Sequence, residues 1–442
     1  MRSSWACSLG LLLLLIACSK PAAVDPPAKS DRPVVLVTLA GLRADAVGPR
    51  TPNLRKLRRV ADWSGHSIAA SGDPSAALAS LLRGLSPWQL RDSHIDQPTL
   101  VEIFQESGYQ ARVFAPAYFR QPPLDLGQGV EAWKPPPKSP SRAAAIVATL
   151  QDREFLWIHL PHAELTYGNR RRPKSQQSGR LRPGQLLRYA DPARRLPPGE
   201  RRKILASYRE GVALVDRYLG QILGELRRNP LWDEMIFVVA ATHGTEIGEA
   251  KQILSGWNLS RPVIETPLWL KIPGVQFQET SQRVAATRVW PTLVEGFAPT
   301  APHHLPSLSF KSHEPILSEL YGINGANLFS LLHQDLQLLW EARFFESAPA
   351  YYKARRAVRT RVQGEMRLGA AQRLLKRLDK AFGDALPLAG DTDPSIRLVR
   401  WLPDSTVEPI EDPALLQEGG TRLRRQWMRF TDREQKPAAQ AP

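Results

Sequence analysis

Residues 33–45, PVVLVTLAGLRAD, decide the fold of this chain. Val34 to Leu39 form a nearly continuous apolar run, which is typical of a β-strand buried on both faces of a parallel sheet. Similar short runs predict further strands at residues 111–114, 155–159, 236–241, 268–272, 336–345 and 396–401. Between the earlier ones lie helical patterns, so strands and helices alternate. This order predicts an α/β fold with a mostly parallel sheet sandwiched by helices.

The predicted helices have recognisable ends. A proline after Thr51 opens one helix, and Thr99 caps another that Gly108 ends. An apolar stripe from Val212 to Leu226 predicts the longest helix. The predicted helices cover residues 51–57, 76–85, 99–107, 207–226, 284–293 and a basic stretch at 351–382. In such sheets, binding sites lie at the carboxyl ends of strands, where Ala40, His159 and Thr242 are expected.

Several blocks, in the right order, resemble the sulfatase family of the alkaline-phosphatase-like superfamily. They are PVVLVTLAGLRAD, TPNLRKL, SAALASLLRGLSP, QPTLVEIFQESGYQARVF, FLWIHLPHAELTY, IFVVAATHGTEIGE, RPVIETPLWLKIPG and TRVWPTLVEGF. The resemblance covers roughly residues 33–345 and implies the alkaline-phosphatase-like fold with a small C-terminal α+β subdomain. It also implies an ester hydrolase that uses a divalent cation, a nucleophile, and basic residues and histidines that hold the anion.

The chemistry implied by the resemblance is missing at five positions of this chain. Ala40 and Thr242 stand where the family has metal-binding aspartates, and Pro74 stands where it has the nucleophile. Ser255 replaces the last family histidine, and Leu78 replaces the arginine that steadies the nucleophile. Without carboxylates at positions 40 and 242, a site lacks most of the charge that would hold Ca²⁺ or Mg²⁺. No cofactor and no catalytic residue is therefore expected.

Residual candidates remain, each with a structural alternative. Ser75 is a nucleophile and Asp73 a ligand in a shifted alignment, or the two simply begin a helix. Asp45 is either a weak metal candidate or a cap. His243 either binds a metal or is hydrogen-bonded locally. His162 and Glu164 either bind a ligand or are loop residues without a function. They lie between His159 and Tyr167, which are retained from the family pattern.

Two functions from different classes follow. The leading hypothesis is a catalytically inactive pseudoenzyme that binds a ligand or partner. The alternative is an active sulfuric or phosphoric ester hydrolase with Ca²⁺, Mg²⁺ or Zn²⁺ held by rearranged ligands drawn from Asp45, Asp73, His162, Glu164 and His243.

The N-terminus resembles a bacterial lipoprotein signal. A short apolar segment ends in Leu15-Ile16-Ala17-Cys18, which resembles the motif in which the cysteine is lipidated and becomes the first residue. Cys7 would be removed with the signal, so no disulfide is expected. Membrane attachment through Cys18 predicts a location in the cell envelope, and Ser19 favours the outer membrane. The expected division is a signal at 1–18, a tether at 19–32, an α/β domain at 33–305, a subdomain at 306–432 and a disordered tail at 433–442.

The chain is basic, with a formal net charge of +16. Residues 170–203 carry twelve lysines and arginines against Asp191 and Glu200. Such a segment suggests an anionic glycan or lipid head group as a partner, or an envelope protein, although a solvated loop has the same composition. No nucleic-acid-binding motif accompanies the charge, so no nucleic acid is expected.

Overall fold

A computed structural model gives the architecture of the chain. The structure describes residues 31–91, 97–121, 124–127, 129–164, 196–249, 253–256, 258–275, 283–297, 316–323, 326–333, 336–343, 396–401 and 407–410. The predicted signal, Cys18, Tyr167, most of the basic segment, the helix at 351–382 and the tail lie outside the described residues. In the described part, no helix combines the length and apolarity needed to cross a membrane.

The central sheet has eight strands in the order β10-β2-β9-β6-β1-β5-β3-β4. All pair in parallel except β9, which is antiparallel to both of its neighbours. Its strands are β1 (Val34–Ala40), β2 (Trp63–Ile68), β3 (Gln110–Phe114), β4 (Ala132–Lys134), β5 (Glu154–Leu160), β6 (Ile236–His243), β9 (Glu265–Lys271) and β10 (Arg283–Ala285). Every residue of β1 is buried, as its unbroken apolar run predicts.

Helices cover both faces of this sheet. One apolar core lies under α1 (Pro52–Val60), α4 (Pro140–Val147) and α5 (Pro198–Leu226). The opposite core lies under α2 (Pro74–Arg83), α3 (Leu100–Glu106) and α7 (Val289–Phe297). Between α5 and α7 come the short pair β7 (Glu246–Ile247) and β8 (Ile253–Leu254), and a one-turn helix α6 (Arg261–Ile264). The predicted α/β fold is confirmed.

Local sequence explains the helix ends. Thr99 and Glu102 form a reciprocal capping box at the start of α3, and Gly108, with a φ of +84°, lies just beyond its end. The start of α1 is capped from a distance, because the Asp216 carboxylate of α5 accepts hydrogen bonds from the backbone of Asn53 and Leu54. The carboxylate of Asp216 thus joins two helices on one face of the sheet.

Two helix predictions were wrong at their boundaries. Helix α5 begins at Pro198 rather than at residue 207, because proline suits the first turn of a helix instead of breaking it. The helix predicted from Val284 begins at Val289, since Val284 lies in β10 beside β2. Strand β10 has only three residues, which is too short for a sequence pattern to distinguish a strand from a helix.

A second, antiparallel sheet of five strands follows in the order β11-β12-β13-β14-β15. Its strands are β11 (Ile316–Ile323), β12 (Ala326–His333), β13 (Leu336–Arg343), β14 (Ile396–Trp401) and β15 (Val407–Ile410). It joins the central sheet through backbone contacts, including a hydrogen bond of 2.8 Å from Glu319 N to Ala70 O. Leu320 and Leu332 complete an apolar cluster with Ile68 and Val263.

Candidate functional site

The site lies where β1, β5 and β6 end together. Ala40 is the last residue of β1 and is 2% exposed, beside His243 at the end of β6. Gly41 follows with a φ of +75°. A Cβ at that position would lie 2.4 Å from Ala163 O and 2.9 Å from the Cα of Glu164. The two small residues therefore let the loop after β5 lie directly against the end of β1.

His159, near the end of β5, is held inside the protein. Its Nδ1 lies 2.9 Å from the hydroxyl of Thr38 on β1, and that hydroxyl accepts a hydrogen bond of 2.8 Å from Trp157 Nε1. The ring of Phe119 meets the imidazole edge to face. Burial lowers the pKa of His159 to about 4, against the opposing charge of Glu164, so the imidazole is uncharged at neutral pH.

Thr242, His243 and Glu164 form a line of polar groups. Thr242 Oγ1 donates to Leu39 O at 3.4 Å and lies 2.8 Å from His243 Nδ1. The other ring nitrogen, His243 Nε2, is 3.6 Å from Glu164 Oε1. That separation suits an ion pair and is too long for a hydrogen bond, so the buried Nε2 has no hydrogen-bond partner among the described residues. Burial tends to raise the pKa of Glu164, but His243 and His159 outweigh it and hold that pKa below its usual range.

His162 and Tyr118 complete this group of side chains. The His162 ring stacks on Tyr218 of α5 with the ring centroids 4.6 Å apart, and its buried Nε2 has no hydrogen-bond partner in the described part of the chain. Burial lowers the pKa of His162 to about 4. Partial burial, with the charge of Glu164, raises the pKa of Tyr118 to about 12. The Tyr118 phenol and the imidazoles of His159 and His162 are therefore uncharged at neutral pH.

Asp45 lies apart from the histidines, in an ion-pair network. Both of its carboxylate oxygens accept from the Arg43 guanidinium, at 2.8 and 2.6 Å. The same guanidinium donates to Glu249 at 2.7 Å. Burial alone would lower the pKa of Arg43, but the two carboxylates raise it far above its ordinary value. The Asp45 carboxylate thus holds the Arg43 guanidinium in place near the end of β1 through two hydrogen bonds.

Asp73 caps a helix, as the structural alternative described. Its Oδ1 accepts from the backbone N–H groups of Ser75 and Ala76, both at 2.9 Å. Pro74 is the first residue of α2 and offers no nucleophile. The loop containing Ser255 lies alongside, because Gly256 N donates to Gly72 O at 2.7 Å. Ser75 is only partly buried and makes no described hydrogen bond to a histidine.

The divalent cation implied by the resemblance does not fit these residues. Ala40 has no donor atom, and the neutral Thr242 hydroxyl is already occupied by Leu39 O and His243. Asp45 and Asp73 are held by Arg43 and by the start of α2. Within the described ranges, no group of three or more histidine, cysteine, aspartate or glutamate side chains is arranged to hold a metal ion.

Comparison with known proteins agrees with this architecture. The family model described as Sulfatase matches residues 141–297, which include β5, His162, Glu164 and the end of β6. This segment of the chain is similar to the sulfatase family. No curated protein sequence matches this chain.

Solved structures share the sulfatase fold at low sequence identity. A sulfatase candidate from Bacteroides thetaiotaomicron gives a TM-score of 0.56 at 15% identity, covering 83% of this chain and 96% of that protein. The phosphonate monoester hydrolase of Agrobacterium radiobacter gives 0.52 at 16% identity, covering 84% and 99%. An alkaline phosphatase superfamily protein from Vibrio parahaemolyticus gives 0.51 at 12% identity, covering 92% and 90%.

Sequence reasoning missed three features of the site. Tyr118 follows β3 in a short 3₁₀ helix and is 56% exposed, with no motif to mark it. Glu249 reaches Arg43 across 206 positions, which no local pattern records. Gly41 offered a signal, since a glycine directly after a buried strand often marks a close approach of two backbones.

Proposed function

We propose that this chain is a catalytically inactive sulfatase-fold protein that acts by binding a ligand or partner at the cell envelope. One observation carries the proposal: both strand ends where the family's metal carboxylates would stand are filled by uncharged groups that are already packed or hydrogen-bonded. Ala40 is buried as a methyl group, and the Thr242 hydroxyl bonds within the fold. A metal-dependent ester hydrolase needs negative charge at these two points.

The charges around the strand ends support the same conclusion. His159 and His162 are uncharged at neutral pH, while Glu164 is negative. Arg43, the arginine at the end of β1, is held between Asp45 and Glu249. Sulfate and phosphate esters are anions that proteins hold with cationic side chains or metal ions. This cluster therefore offers an ester anion little attraction.

The envelope location is supported by the N-terminal sequence. Leu15 to Cys18 match a lipoprotein signal, which would attach the mature chain to a membrane through the lipidated Cys18. Ser19 favours the outer membrane. The candidate partners remain an anionic glycan, a lipid head group or an envelope protein, and nucleic acid is not among them.

The first test is metal content and turnover. The mature chain would be produced with Cys18→Ser and measured for bound metal after exposure to Ca²⁺, Mg²⁺, Mn²⁺ and Zn²⁺. Nitrophenyl sulfate, phosphate and phenylphosphonate serve as substrates, matching the activities named for the structural neighbours. The expected result is no tightly held metal and no turnover. Turnover that His243→Ala abolishes and Ser141→Ala leaves intact would overturn the proposal.

A gain-of-metal variant provides the complementary test. The double substitution Ala40→Asp and Thr242→Asp places two carboxylates at the buried strand ends. Without metal, the unpaired charges should destabilise the variant by several kcal/mol, on the order of the cost of a buried unpaired charge. Added Ca²⁺ or Mg²⁺ should restore its thermal stability while leaving the parent chain unchanged. Equal responses of parent and variant would contradict the assignment of these two positions.

One observation favours the alternative of a working hydrolase. The Thr242 hydroxyl, the His243 imidazole and the Glu164 carboxylate lie in sequence, and turning the Thr242 proton from Leu39 O toward His243 Nδ1 would give the kind of arrangement that activates a hydroxyl nucleophile. That alternative predicts ester turnover that Thr242→Val and Glu164→Gln each abolish. Retained turnover in both variants would remove it.

A further inference from the structure

The exposed face of α1 carries cations without carboxylate partners. Arg55, Lys56, Arg58 and Arg59 are all exposed, and Arg50 lies just before the helix. Leu54 and Leu57 are buried in the core, and Val60 packs partly against it. No salt bridge reaches these cations within the described residues, and the helix contains no acidic residue. Lys56 makes one contact, a hydrogen bond of 3.5 Å to Asn53.

Helix stability does not account for this pattern. Arg58 and Arg59 lie in the last turn, where positive charge suits the helix dipole. Arg55 and Lys56 lie nearer the N-terminal end, where positive charge does not suit the helix dipole. Arg55 is also three and four residues from Arg58 and Arg59, spacings at which like charges repel. Asp216 of α5, which packs against α1, is already bound to the start of α1, and Asp62 beyond its end accepts from Ile272 N.

The position of α1 relative to the N-terminus indicates the kind of partner. Asp62, just beyond α1, accepts a hydrogen bond from Ile272 N, and Arg32 donates to the neighbouring Pro273 O. The chain therefore enters the fold close to the end of α1. Residues 19–30 can span at most roughly 40 Å from Cys18. If Cys18 is lipidated, the cationic face cannot move far from the bilayer.

We propose that the cationic face of α1, formed by Arg50, Arg55, Lys56, Arg58 and Arg59, docks the domain onto an anionic phospholipid surface. A broad cationic face on a packed helix suits the spread charge of lipid head groups. Docking by several cations supplements a lipid anchor, as in proteins that combine acyl chains with a basic patch. The surface lies apart from the strand-end site, so this inference stands or falls independently of catalytic activity.

The test is vesicle binding by the non-lipidated mature chain carrying Cys18→Ser. The probes are vesicles of pure phosphatidylcholine and vesicles containing about one part phosphatidylglycerol to three of phosphatidylcholine. The test variant changes Arg55, Lys56, Arg58 and Arg59 to glutamine. The control changes Arg120, Lys134, Lys138 and Arg142, four exposed cations near β4, to glutamine. A third variant changes the three α1 arginines to lysine and keeps the charge.

The parent should bind only the phosphatidylglycerol vesicles, with binding that weakens steeply as salt rises. The α1 glutamine variant should lose at least about tenfold in affinity, while the lysine variant and the control stay within about twofold. Thermal unfolding would verify that each variant is folded, and the lysine variant keeps the test decisive if the glutamine variant is not. Equal losses in test and control variants, no preference for phosphatidylglycerol, or α1-dependent binding to heparin in place of vesicles would each overturn the proposal.

Discussion

At the scale of single residues, the ends of β1 and β6 lack the carboxylates that the family resemblance implies at positions 40 and 242. Ala40 and Gly41 leave room that the loop after β5 fills, and Glu164 thereby comes within 3.6 Å of His243. Thr242 replaces a charge with a hydroxyl that bonds within the fold. Small and neutral residues at these two strand ends are packed or hydrogen-bonded within the fold.

Gly41→Ala should test this packing. Its positive φ and the 2.4 Å approach of Ala163 O both oppose a methyl group. We expect the free energy of unfolding to fall by about 3 kcal/mol, measured by urea denaturation. Gly129→Ala is the matched control, because Gly129 has a φ of +73° with nothing within 4 Å. Alanine there should cost only about 1 kcal/mol. Similar losses at both positions would mean that the loop does not press on Gly41.

At the scale of elements, capping and burial decide the roles of side chains that resemble catalytic groups. Asp73 begins α2, and the histidines of β5 and its following loop are enclosed by neighbouring strands and by α5. The same residue types at an open strand end would be candidates for catalysis. Here Asp73 accepts hydrogen bonds from the start of α2, and His159 bonds to Thr38, as structural roles require.

Two substitutions of Asp73 separate a cap from a metal ligand. Asp73→Asn should keep the free energy of unfolding nearly unchanged, because asparagine caps helices as well as aspartate. Asp73→Ala should lower it by about 1 kcal/mol, since the N–H groups of Ser75 and Ala76 lose their acceptor. Urea unfolding at neutral pH measures both. A loss in the asparagine variant as large as in the alanine variant would show that the charge itself matters.

The buried histidines predict a dependence of stability on pH. His159 and His162 have pKa values of about 4 in the folded protein, below the unfolded value, so the unfolded chain takes up protons first as the pH falls. Stability present above pH 6.5 should be lost between about pH 6.5 and 4, by about 2 kcal/mol at pH 5 for the fully buried His159. His162→Phe keeps the stack on Tyr218 and should reduce the loss between pH 7 and 5 by about 1 kcal/mol. Identical pH profiles for parent and variant would contradict this assignment.

At the scale of the whole molecule, two sheets share one apolar cluster and several buried hydrogen bonds. Glu319 of β11 is 1% exposed, and its carboxylate accepts from Trp88 N at 2.9 Å. Ser318 Oγ donates to Ala69 O at 2.8 Å, and Gln337 Nε2 donates to Leu259 O at 2.7 Å. The second sheet is thus attached to the rest of the domain by hydrogen bonds made by the buried side chains of Ser318, Glu319 and Gln337.

Glu319→Ala should loosen this attachment. The variant leaves Trp88 N without the carboxylate, and we expect it to lower the free energy of unfolding by about 1–3 kcal/mol. Far-ultraviolet and near-ultraviolet circular dichroism should still report one shared transition for the parent chain. Two separate transitions in the parent would mean that the sheets unfold independently.

The strands at the centre of the main sheet were predictable because apolar runs are local features, whereas β2, β4, β11, β12 and β15 were not predicted. The nearly continuous apolar run at residues 34–39 and the stripe along α5 needed no tertiary information. The contacts of the site were not predictable, because Arg43 with Glu249 and Glu164 with His243 meet only after folding. The missing carboxylates at positions 40 and 242 were visible in the sequence. The packing of the loop after β5 against the end of β1 could not be predicted, because it depends on the path of that loop and not on a periodic sequence pattern.

The burial of Ala40 and Thr242 has a consequence for the history of this chain. A single reversion to aspartate at either strand end would enclose one unpaired charge without completing a metal site. A chain with aspartate at only one of these two positions would therefore be less stable than the present chain and would gain no metal site in return. Under the proposed function, such single-aspartate intermediates would be selected against, so the residues at positions 40 and 242 would be hard to exchange one at a time.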